Sequence, residues 1–158
     1  MFSINFNDFG GALVELEPNC LDGSEIMKDV ISTRGPTDIF AMDAFGDVYG
    51  ACREGVIRVS TETGDVAEEW PDLQAWEADI SNDRRAVGQT FLEVWEAANG
   101  KLPKGHRLTP KMPIVFGGEF SLENMVSMPL DEIWRFRADI VEQIRGLPDG
   151  ARILLDTN

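Results

Sequence analysis

Residues 38–66 read DIFAMDAFGDVYGACREGVIRVSTETGDV, and this stretch decides the fold. Three apolar-rich runs stand in it, at 38–43, 47–53 and 55–60. Phe45-Gly46-Asp47 separates the first two and Glu54-Gly55 the next pair, both compact turn signals. Thr61-Glu62-Thr63-Gly64 is another turn and leads into a short further strand through Val66. Connections this short join antiparallel neighbours, because a parallel return needs a crossover of about a dozen residues or more. The stretch therefore reads as an antiparallel meander.

Toward the N-terminus, residues 12–17 follow Gly10-Gly11 and stop at Pro18, as strand material does. Ser24 reads as the N-cap of a short helix carrying Ile26, Met27, Val30 and Ile31 on one face, ended by Gly35-Pro36. Beyond the meander, Pro71 suits the first position of a helix bearing Leu73, Trp76 and Ile80. A second helix is expected over 82–98, with Val87, Phe91, Val94, Trp95 and Ala98 as its stripe and Asn99-Gly100 as its stop. KLPKGHRLTPKMP, residues 101–113, holds three prolines, four bases and the sole histidine, and reads as a loop. A strand over 112–116, a turn at Gly117-Gly118 and a strand near the end of 120–128 come next. Pro129 opens the last helix, with Ile133, Phe136, Ile140, Ile144 and Leu147 buried. Asp131, Arg135 and Asp139 form i,i+4 pairs on its wet side. A turn at Pro148-Asp149-Gly150 and a strand over 151–155 close the chain. Strands first and helices later favour α+β over alternating α/β: a single domain over 1–158, its antiparallel meander sheet packed against helices.

The totals agree with one domain. A chain of 158 residues buries roughly 70% of its unfolded surface. Its 43% apolar content excludes disorder driven by charge, despite a formal net charge of −14. Cys20 and Cys52 have no metal or redox spacing, so two thiols are expected and neither metal nor cofactor. No stretch approaches 18 apolar residues, and the first residues carry no Lys or Arg before an apolar run. The expectation is a cytoplasmic protein that neither crosses nor binds a membrane.

The charge is concentrated. Between Arg58 and Arg84 stand eight acids and no base: Glu62, Asp65, Glu68, Glu69, Asp72, Glu77, Asp79 and Asp83. Residues 84–112 carry six bases and two acids. A field of this sign repels nucleic acid and anionic membranes and steers basic protein surfaces inward. Glu62, Asp65, Glu68, Glu69, Asp72, Glu77 and Asp79 are the candidate partner-binding residues, the helical ones exposed around Trp76. Trp134, beside Ile133 and partly off its stripe, is the candidate interface anchor.

Catalytic candidates are weaker. Phe116-Gly117-Gly118-Glu119-Phe120 resembles the metal-binding hairpin of diguanylate cyclases but lacks one of its acids, and a tight turn needs two glycines in any case. His106 sits in a Pro-rich loop with no nucleophile elbow to serve. Asp43, Asp47 and Glu54 punctuate the meander where turns demand short acids. An enzyme would need Asp43, Asp47, Glu119 and His106 to converge in one pocket.

The chain resembles the SUKH superfamily, which spans bacterial toxin-immunity proteins and a yeast regulator of cell-wall assembly. DIFAMDAFGDVYGA resembles that family's meander core and GVIRVSTETGDV its following strand pair. PDLQAWEADI resembles the helix after the meander, and residues 113–144 the late segment with a Gly-Gly turn and a closing helix. The resemblance covers 38–147; the family's usual first helix is not visible before residue 37. It implies a non-enzymatic protein that neutralises a cognate toxin, often a nuclease or deaminase. The alternative reading is a regulatory or scaffold module in cell-envelope or secretion biology.

Overall fold

Alternating burial builds the sheet. The computed structural model describes residues 3–18, 20–21 and 24–145. Its main sheet runs in sequence order: β1 (Val14–Glu15), β2 (Asp38–Met42), β3 (Val48–Cys52), β4 (Gly55–Val59) and β5 (Val66–Trp70). Every neighbouring pair is antiparallel, as the short turns require. Tyr49 and Val56 pack into one apolar cluster, and Val48, Ile57 and Val59 into another on the opposite face. The alternation slips in β2. Phe40 and Ala41 both pack with the Tyr49 cluster, and the register against β3 jumps between Ile39 and Ala41. One extra residue in β2 is a β-bulge, and it lets two out-of-phase apolar runs bury both faces.

Helices cover the two faces. α1 (Lys28–Arg34) sets Val30 against the Val48 face, where Ile26 and Met27 of the preceding turn and Val141 of α4 (Leu130–Ile144) join it. α2 (Leu73–Asn82) and α3 (Gln89–Asn99) bring Trp76, Ile80, Leu92 and Trp95 to the Tyr49 face. A second antiparallel pair, β6 (His106–Pro110) and β7 (Met125–Pro129), adds Leu108 and Met125 to that core. This is an α+β domain, as expected.

Several boundaries differ from the sequence reading. The helix expected over 82–98 is a 3₁₀ turn, Arg84–Val87, followed by α3, with Gly88 between them at φ +85°. A Cβ there would lie 2.7 Å from the Phe45 ring, so Phe45 packs into the break and holds it. The expected loop over 101–113 contains β6, whose partner β7 is remote in sequence. The strand expected over 112–116 is instead a 3₁₀ turn, Ile114–Phe116. Helix α1 starts after Met27 rather than at Ser24. In α4 the buried position is Arg137, while Phe136 is exposed. Cys20 and Cys52 stand as thiols, not a disulfide. Leu147, the expected turn at Pro148-Asp149-Gly150 and the strand over 151–155 lie outside the described residues. Among those described, no helix is long and apolar enough to cross a membrane.

Candidate functional site

The acidic run folds into the sheet edge. Among the described residues, β5 is the outermost strand on its side of the sheet, paired only to β4. Glu68 stands opposite Arg58 and reaches it at 3.3 Å; Glu69 pairs with Arg34. Both carboxylates remain about half exposed, so these pairs leave them accessible. Glu54 joins Arg34 at 3.2 Å, beside a cleft bordered by Glu69 and Trp70. Asp65 is exposed in the turn before the strand. Asp72 caps α2 by accepting the Ala75 N–H at 2.8 Å. Asp79 accepts the Trp70 indole N–H at 2.8 Å. Six exposed acids thus surround β5: Glu68 and Glu69 on the strand, Asp65 before it, Asp72 and Asp79 at the cap and in the second half of α2, and Glu54 in the β3–β4 turn. Ion pairs this exposed contribute little to stability, so their field is their main physical consequence.

Three of the expected binding residues lie elsewhere. Trp76 is fully buried between the Phe40 and Tyr49 rings, and this draws Glu77 inward to 8% exposure, where it accepts the Ser3 N–H at 3.0 Å. Glu62 is half-buried and turned away from the edge, accepting the Ile114 N–H at 3.4 Å. Trp134 is not an exposed anchor: its ring packs on the Val48-face cluster, and its indole nitrogen is buried. The i,i+4 acids and base of α4 are exposed, as expected.

A second constellation was visible only in fragments. The Asp43 carboxyl oxygen accepts the N–H groups of Phe45 and Asp47, closing the turn between β2 and β3. Asp47 in turn accepts the Thr61 N–H at 3.1 Å, tying that turn to the one after β4. The Thr61 hydroxyl donates to the Gly46 carbonyl and accepts from Arg137, whose other terminal nitrogen donates to Thr109 at 3.2 Å. Arg137 is 1% exposed and is bound by hydroxyls, not by a carboxylate, among the described residues. Burial pulls its guanidinium below the usual arginine range, against the fields of Asp47, Glu62 and Asp43. Burial pushes the Asp43 carboxyl up, to about 8, and the charge of Asp47 adds to the rise. The Glu62 carboxyl is raised by burial too, against the pull of Arg137.

These groups share a cavity of about 260 Å³ with Arg58, and Phe45 and Phe120 form part of its apolar wall. Phe120 is 60% exposed and meets the Phe45 and Phe91 rings at 5.1 Å. Of the four residues an enzyme would need together, Asp43 and Asp47 converge and His106 and Glu119 do not line this cavity. No group of three or more His, Cys, Asp or Glu with metal-binding geometry occurs among the described residues. Arg137 is the residue that sequence reading missed. Spacing alone did not single it out: Arg137 lies four residues after Ile133 and three before Ile140, while Phe136 lies three after Ile133 and four before Ile140, so both fit the stripe.

No protein-family model matches this chain, and no curated protein matches it. The fold is similar to the crystal structure of Atu4351 from Agrobacterium tumefaciens, with a TM-score of 0.51 and 18% identity. That likeness covers 81% of this chain and 66% of the other, so the chain spans just under two thirds of that protein's length. At this identity the likeness concerns the fold alone.

Proposed function

We propose that this chain is a non-enzymatic binding protein that captures a basic protein partner through the β5 edge. The observation that carries the reading is the set of exposed acids on and around β5, the edge strand among the described residues: Glu68 and Glu69 on it, Asp65 before it, Asp72 and Asp79 at and in α2, and Glu54 in the β3–β4 turn. An edge strand offers backbone donors and acceptors to an incoming segment, and the carboxylates select a basic one. The resemblance to SUKH immunity proteins supports a particular partner, a toxin that attacks nucleic acid. Such a toxin carries a basic substrate-binding surface, and an acidic inhibitor competes for it while gaining association rate. On this reading the chain acts in the cytoplasm, needs no cofactor, and avoids nucleic acid and membranes.

The test is co-expression. A basic protein captured by this chain is expressed alone and then with it. The immunity reading predicts growth arrest alone and rescue by co-expression. A captured partner that is harmless alone moves the reading to a regulatory or scaffold module.

A further inference from the structure

The cavity between the meander turns and α4 is lined by groups of both charge signs that do not neutralise one another by contact. Arg58 and Arg137 both border it, and the Nε–H of each is buried with no hydrogen-bond partner among the described residues. Arg137 spends its terminal nitrogens on Thr61 and Thr109, and Arg58 reaches Glu68 at the surface. Asp47 and Glu62 border the same space, each engaged chiefly by backbone N–H groups. Guanidinium groups bordering a cavity attract an acceptor, best an anionic one. A simple anion placed there would also face Asp47 and Glu62, and a simple cation would face two guanidinium groups. A ligand carrying both signs a few bonds apart satisfies both sets.

The space sets the rest of the ligand. About 260 Å³ lies below the usual range of pockets for drug-sized molecules, which starts at roughly 300 Å³. It suits a metabolite of amino-acid size rather than a nucleotide. The exposed Phe120 ring, stacked edge-on with Phe45, offers an apolar wall that a non-polar group would cover.

We propose that this cavity binds a free α-amino acid with an apolar side chain. Its carboxylate faces the Arg58 and Arg137 side chains, its ammonium faces Asp47 and Glu62, and its side chain lies on Phe45 and Phe120. The site is independent of partner capture, and its test uses the chain alone.

Calorimetric titration of the whole chain with L-leucine, L-methionine and L-phenylalanine, beside N-acetyl-L-leucine, L-leucinamide and inorganic phosphate, tests it. Saturable binding is expected for at least one free amino acid, weakened about tenfold or more when either charged end is blocked. Glu62→Gln, half-buried at the cavity, and Arg58→Gln are each expected to weaken binding about tenfold while the circular-dichroism spectrum stays unchanged. The proposal is overturned if no free amino acid binds below about 10 mM. It is equally overturned if the blocked forms or phosphate bind as well, or if Glu62→Gln binds like the wild type.

Discussion

Gly46→Ala is expected to be among the most damaging single-methyl additions to this protein. Gly46 sits at φ +83°, where a Cβ costs about 1–2 kcal/mol from backbone sterics alone. That Cβ would also lie 2.6 Å from Arg137 Nη1 and 3.4 Å from its Cζ. The guanidinium cannot swing into solvent, because it is 1% exposed and held by Thr61 and Thr109. It must give up at least one of those bonds, and a hydrogen bond to a charged group contributes about 1.5–3 kcal/mol. The two effects together come to roughly 3–5 kcal/mol, a large share of the 5–15 kcal/mol typical of a domain. Urea unfolding of the wild type, Gly46→Ala, Arg137→Met and the double variant measures this directly. In the Arg137→Met background the alanine is expected to cost only its backbone share, about 1–2 kcal/mol. Equal cost in both backgrounds, or a cost below about 1 kcal/mol in the wild type, would refute the idea that Gly46 makes room for Arg137.

Three further outcomes follow from the same geometry. Asp43 keeps its proton to about pH 8 in the fold against an ordinary value of 3.8, so its contribution is largest in acid and is lost as pH rises through the folded value. Asp43→Asn keeps the oxygen that accepts the Phe45 and Asp47 amides. The variant is therefore expected to gain on the wild type by at most about 1.4 kcal/mol per pH unit between those values, read from urea midpoints at several pH values. A gap that stays constant with pH counts against a protonated Asp43. Arg107 donates to the Gly11, Asp43 and His106 carbonyls, and Arg107→Met is expected to cost about 2–4 kcal/mol in the same assay by orphaning them. Asp72→Ala removes the α2 N-cap and is expected to lower stability by about 1 kcal/mol; no change in the urea midpoint would show that the cap contributes nothing.

What the sequence disclosed follows from the range of the interactions involved. The meander was legible because each strand pairs with its immediate neighbour through a turn whose glycine or acid marks it, as Asp43-Ala44-Phe45-Gly46-Asp47 does. β6 was hidden because His106–Pro110 lies among prolines and bases, and its partner strand comes only after another turn-rich segment. The break at Gly88 depends on Phe45, a residue remote in sequence, so no local pattern announces it. Trp76 was rightly placed on an apolar stripe, but its depth carried Glu77 inward with it, and charge alone gave no hint of that. The cavity shows the same limit from the other side. Asp43 and Asp47 were seen as turn residues, while Arg137 was passed over because arginine is almost never fully buried.

The most direct test of the central claim is capture at low salt from cells that express the protein natively. The wild type and a Glu68→Lys/Glu69→Lys variant serve as parallel baits, with salt elution and mass spectrometry of what is released. Steering by the β5 edge predicts one stoichiometric basic protein on the wild type, released as salt rises and strongly depleted on the variant. Equal retention of that protein on both baits, or no stoichiometric basic partner on the wild type, would contradict it.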